Sequence, residues 1–68
     1  MIDVRIKLNG QDHEISDGAT VAQLIEKSGL SPNKVAVELN RRLIRTEKYE
    51  TELHPGDEVE IVTFVGGG

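Results

Sequence analysis

The sequence predicts an α+β domain, a mixed sheet in ββαββ order packed on one helix. Three observations carry this reading. Hydrophobic residues make up 37% of the chain, and thirteen of them are valine or isoleucine, which favour pleated strands. One segment alone, residues 20–29, has helical spacing with a stop signal at each end. Near the start stands Asn9-Gly10, a strong tight-hairpin signal because both central turn positions favour a positive φ.

In chain order, Ile2, Val4, Ile6 and Leu8 alternate with Asp3, Arg5 and Lys7, the period-2 pattern of a strand with one buried face. After the Asn9-Gly10 turn, residues 11–15 form a short polar strand suited to a sheet edge. Thr20 caps the helix, and Gln23 three residues on completes a capping box. Val21, Leu24, Ile25 and Ser28 fall on one helical face, and Lys27 lies near the negative end. Gly29 stops the helix in the left-handed conformation, Leu30 folds back on it, and Pro32 prevents its resumption. Eight or nine residues are too few to stay helical alone in water, so this helix must dock on the sheet.

Strand character returns at Val35, Val37 and Leu39, alternating with Ala36 and Glu38; Asn40-Arg41-Arg42 then turns into Leu43-Ile44. Residues 46–53 have no clean period and are expected to wrap the edge, with Tyr49 and Leu53 tucked inward. His54-Pro55-Gly56-Asp57 is a turn by composition. Residues 58–65 form the last strand and lead directly into Gly66-Gly67-Gly68. The first and last strands are the most apolar and so the most central. Placed side by side and parallel, with the helix across one face, they make the β-grasp, or ubiquitin-like, architecture. The expected division is a domain over residues 1–65 and a flexible tail over 66–68.

Sixty-eight residues leave room for one domain with a thin core. A deep catalytic pocket would remove apolar contacts that such a core needs, so a carrier, adaptor or subunit is expected rather than a self-sufficient enzyme. Eight basic residues against twelve scattered acidic ones give a net charge of −4, the wrong sign for a nucleic-acid binder. The apolar runs are too short for a membrane span or signal-peptide core, and the cytoplasm is the expected location. Without cysteine there is no disulfide, zinc-thiolate site or internal thiol nucleophile. There is no P-loop, and His13 and His54 lack ligand spacing and read as exposed structural residues. The carboxylates read as a solvated surface, not as an acid–base pair in apolar surroundings.

Chemistry is therefore expected at the end of the chain. The plain reading of three terminal glycines is a frayed end or an expression scar. The alternative is a strip thin enough to thread a narrow tunnel and present its carboxylate to another enzyme. That α-carboxylate is an anion at neutral pH and a competent nucleophile toward phosphorus, and joining it to AMP supplies the leaving group that a carboxylate lacks. The last strand reaches the glycines without a linker and nothing follows Gly68, which favours the second reading. If Val59, Ile61 and Val65 face the helix, Val62 and Phe64 point to the opposite, uncovered face as a partner site. Glu58, Glu60 and Glu38 would rim that patch and suit a basic partner. The plainer alternatives are a final strand covered on both faces and carboxylates that are only solvated.

The run Val35-Ala36-Val37-Glu38-Leu39-Asn40, the segment Gly56-Asp57-Glu58-Val59-Glu60-Ile61-Val62 and the ending Phe64-Val65-Gly66-Gly67-Gly68 resemble the sulfur carrier proteins of thiamine biosynthesis, the ThiS family. The opening strand with Asn9-Gly10 is similar too, so the resemblance covers essentially the whole chain. It departs at Arg41-Arg42, where the family often has Gly or another small turn residue, and at Ile44, where Pro is common. The resemblance implies a carrier, not an enzyme, with no cofactor of its own. A ThiF-like adenylyltransferase would use Mg-ATP to adenylate the carboxylate of Gly68, and a sulfur donor would convert it to a thiocarboxylate. The carrier would then dock on thiazole synthase (ThiG-like) and deliver sulfur. Gly66 and Gly67 would pass the channel, and Phe64 and Val62 would supply docking area. Competing readings are a MoaD-like small subunit of molybdopterin synthase, a β-grasp interaction module with inert glycines, and a ubiquitin-like protein modifier.

Overall fold

The protein is described by a computed structural model covering residues 3–64. Five strands form one sheet: β1 (Asp3–Leu8), β2 (Gln11–Ser16), β3 (Val35–Leu39), β4 (Arg42–Ile44) and β5 (Glu58–Thr63). The helix α1 (Val21–Lys27) follows β2. Spatial order is β2-β1-β5-β3-β4, with β1 and β5 parallel and the other neighbours antiparallel. The first and last strands lie side by side as expected, and the polar β2 forms an edge, but the most apolar strand is β3, four of whose five residues are hydrophobic. The β-grasp expectation holds, with β4 as one short strand beyond the ββαββ frame. It forms because Asn40-Arg41 alone makes a two-residue turn, leaving Arg42 free to pair with Leu39.

The core lies between the sheet and α1. Val4 and Ile6 of β1, Val35 and Val37 of β3, and Val59 and Ile61 of β5 meet Val21, Leu24 and Ile25 of the helix. Tyr49 and Leu53, from the segment without a period, close one side of this core as expected. That segment is held by main-chain bonds from the Leu53 amide to the Ala19 carbonyl (2.8 Å) and from the Ala22 amide to the Tyr49 carbonyl (2.7 Å). A short segment with no repeating pattern is thereby fixed by the loop and first turn of α1.

The helix ends behave as their residues dictate. The Thr20 hydroxyl accepts from the Gln23 amide at 3.2 Å, and the Gln23 side chain accepts from the Thr20 amide at 3.0 Å. At the other end the Gly29 amide donates to the Glu26 carbonyl and the Leu30 amide to the Ile25 carbonyl, the paired bonds of a Schellman stop. Ser28 differs from expectation. It is the exposed C-cap, its hydroxyl donating to the Leu24 carbonyl at 2.9 Å, and the helix is seven residues long. β2 runs one residue further than expected, to Ser16, and β5 ends at Thr63. The domain boundary at residue 65 and the tail at 66–68 lie outside the described residues.

Candidate functional site

β5 leads toward the glycines, and the fold holds it from both sides. β1 is its ladder partner only at Lys7 and Leu8, opposite Glu58 and Val59. Past that point Asn9 takes over. Its amide donates to the Val59 carbonyl at 2.9 Å, its side-chain oxygen accepts from the Ile61 amide at 2.8 Å, and its side-chain nitrogen donates to the Ile61 carbonyl at 3.4 Å. One amide side chain thus supplies the donor and acceptor that a longer β1 would have offered. On the other flank, Asn40 accepts from the Glu58 amide at 2.9 Å and donates to the Asp57 carboxylate at 3.0 Å. Asp57 in turn accepts from the His54 amide at 2.8 Å, closing the turn that launches β5. Both asparagines sit at positive φ, 51° and 53°, where asparagine is tolerated far better than most residues. Sequence reasoning saw them as turn formers and missed their second task. The signal was the residue type, since Asn at a turn carries a free amide.

Beyond the strand, the Phe64 amide donates to the Lys34 carbonyl at 2.9 Å. The backbone direction is therefore set through the last described residue.

The face of the sheet opposite α1 carries the expected patch. Val59 and Ile61 are buried against the helix, whereas Val62 is 61% and Phe64 59% exposed. The two-sided burial considered for Phe64 is thus not what the structure has. Glu58 and Glu60 lie on the same face of β5 by alternation, and Glu38 stands directly opposite Glu60. Two further residues join them that the sequence did not place on this face. Leu43, opposite Glu38 on β4, is 70% exposed, and Arg41 occupies the β3–β4 turn. Glu38, Arg41, Glu58 and Glu60 line a shallow depression with Lys7 and Gly10.

Charges on this face are mostly matched. Arg5 pairs with Glu14 at 3.3 Å, Lys7 with Asp12 at 3.2 Å and Arg41 with Glu58 at 3.6 Å. Glu38 and Glu60 are the exception: like charges opposed across the sheet, with no ion pair among the described residues. Directly opposed like charges destabilise a strand pair. Arg41 is unusual in a different way. Its φ is 71°, a conformation that costs a residue with a Cβ about 1–2 kcal/mol and glycine little. Its side chain is 86% exposed, where a single ion pair is worth little.

The two histidines lie apart from this face's chemistry; both are exposed, His13 on β2 and His54 in the turn before β5. Among the described residues no three His, Asp or Glu side chains are placed to hold a metal ion. No helix among them is long and apolar enough to cross a membrane. Gly66, Gly67 and Gly68 fall outside the described residues.

A five-stranded mixed sheet wrapped on one helix, with its first and last strands parallel and side by side, defines a ubiquitin-like β-grasp protein. Comparison with known proteins narrows the class. The sequence model of the ThiS family matches residues 6–68, and the chain belongs to that family. It is 42% identical over 65 residues to the sulfur carrier protein ThiS of Bacillus subtilis, covering 93% of this chain and 98% of that one. It is 38% identical over 66 residues to a thiazole synthase of Magnetococcus marinus and 35% identical to one of Paramagnetospirillum magneticum. In both cases 96% of this chain is covered but only 20% of the relative, so the chain spans about a fifth of the length of those synthases. A crystal structure of the thiamine biosynthesis protein ThiS from Geobacter metallireducens superposes with a TM-score of 0.78 at 26% identity, covering 96% of this chain and all of that one.

Proposed function

We propose that this chain is a sulfur carrier of thiamine biosynthesis whose reactive group is the carboxylate of Gly68. The observation that carries the reading is a ThiS-family chain whose central strand, pinned by Asn9 and Asn40, runs into three glycines. A carboxylate oxygen of Gly68 attacks the α-phosphorus of Mg-ATP on a ThiF-like adenylyltransferase, and pyrophosphate leaves. Sulfide, or a donor at the same oxidation level, then displaces AMP to give the thiocarboxylate. Sulfur so held is nucleophilic yet tethered, which raises its effective concentration at an acceptor. Gly66 and Gly67 pass a channel that a Cβ would obstruct. The chain itself acts as a protein cosubstrate in the cytoplasm, and ATP and magnesium belong to its partner.

The acceptor enzyme in this reading is thiazole synthase. Two thiazole synthases that contain a segment similar to this chain support the pairing, since a carrier segment within a synthase polypeptide keeps the two together. Phe64 and Val62 supply apolar docking area, rimmed by Glu58, Glu60 and Glu38 for a basic surface. The test is intact-mass analysis after incubation with the adenylyltransferase, Mg-ATP and sulfide. Replacement of one oxygen by sulfur at the terminus is expected. An unchanged mass, adducts joined to other proteins, or a native chain that continues untrimmed past Gly68 would overturn the reading.

A further inference from the structure

Three features of the uncovered sheet face have no explanation within the fold. Glu38 and Glu60 oppose each other on adjacent strands, although every ion pair found on this face joins opposite charges. Arg41 holds a left-handed backbone that glycine would adopt without strain, in return for one exposed 3.6 Å contact with Glu58. Leu43 stands on the other side of Glu38 from Glu60, with most of its surface in water. A strained arginine, an unmatched acid pair and an exposed leucine lie on one half of the face, across β5 and the β3–β4 hairpin. Each is unfavourable in the free chain, and each is relieved by one kind of complementary surface.

We propose that the β3–β4 hairpin is the selectivity element of the docking face, recognising on thiazole synthase a basic group that bridges Glu38 and Glu60, an apolar socket for Leu43 and a carboxylate opposite Arg41. The proposal rests on the reading of this chain as a sulfur carrier for that enzyme. A cation between Glu38 and Glu60 turns repulsion into two attractions and gives the acid pair a role that folding does not. Arg41 at the rim adds a charge of the opposite sign. A partner presenting a uniformly basic surface would meet it with repulsion, so the hairpin discriminates among basic surfaces instead of merely attracting them. Val62 and Phe64 supply area common to any partner of this face, whereas Arg41 and Leu43 read the particular one.

The experiment measures binding of the full chain to the thiazole synthase of the same organism at low and high salt, beside adenylation by the adenylyltransferase. Arg41→Gly is expected to keep the melting temperature at or above that of the wild type, because the strain is released. The same change should weaken synthase binding about five-fold, and Arg41→Glu by more, with the difference shrinking as salt rises. Leu43→Ser should weaken synthase binding at all salt concentrations, since its contribution is apolar. Adenylation should change less than two-fold in all three variants, a bound that also reports their folding. Wild-type binding with unchanged affinity in Arg41→Glu and Leu43→Ser would overturn the selectivity role and leave the carrier reading standing. Variants that lose adenylation but keep synthase binding would assign the hairpin to the other enzyme and likewise overturn it. Failure of the wild-type chain to bind the synthase would overturn the carrier–synthase reading itself, and this inference with it.

Discussion

The side chain of Asn9 holds the main chain of Ile61, 52 residues further on, by accepting from its amide at 2.8 Å and donating to its carbonyl. A hairpin turn therefore does the work of a strand extension. It keeps β5 paired where β1 has already turned away, two residues short of Thr63, the strand's last residue. Replacement of Asn9 by glycine preserves the positive φ and removes only these bonds. The expected loss is about 1 kcal/mol in denaturant unfolding, with faster hydrogen exchange at the Ile61 amide. Unaltered exchange there would show that the side chain carries no load.

Glu60→Gln is expected to stabilise the free domain by a few tenths of a kcal/mol, because it abolishes the repulsion across β3 and β5. The same change should weaken binding to a basic partner surface. Chemical denaturation and a binding titration on one preparation check both directions, and a less stable variant would refute the reading of this pair.

Phe64→Ala is expected to change the melting temperature little, since the ring is more than half exposed, while weakening partner binding roughly tenfold or more, as truncation of an aromatic anchor does. A large fall in stability would mean that the ring packs against the fold.

Removal of Gly68 should abolish adenylation, read as ATP–pyrophosphate exchange, and leave thermal unfolding unchanged. Retained exchange would show that the new terminal carboxylate, on Gly67, reacts as well and that the reach of Gly68 is not required.

Leu53→Ala removes a fully buried side chain from a segment whose regular structure is one 3-10 turn, Thr46–Lys48, and a single bridge from Glu52 to Thr20. A loss of about 2–5 kcal/mol is expected, enough to unfold much of a domain this small. A mild effect in thermal unfolding would show that residues 46–53 fold independently of the core.

What the residues reveal in advance follows from how local each signal is. The helix was legible at both ends because Thr20, Gln23 and Gly29 act within one turn of chain, and all three behave as their chemistry requires. The exposure of Val62 and Phe64 followed from strand alternation once β5 was placed with one face on the helix. Asn9 and Asn40 were legible only as turns, because their partners on β5 are brought near by tertiary pairing. Leu43 and Arg41 were hidden for a related reason. The direction in which each points depends on the turn being two residues long, and a one-residue shift in β4 would send Leu43 to the other face.

The parallel alignment of β1 with β5 has a practical consequence. Leu8 lies beside Val59, so Asp3 and Phe64 extend from that level in opposite directions. At about 3.3 Å per residue, roughly 33 Å of sheet separates them. A tether attached ahead of β1, to a bead, a sensor chip or an unrelated polypeptide, leaves the far pole unobstructed. Immobilised in that orientation, the molecule should still be loaded and unloaded by enzymes arriving from solution.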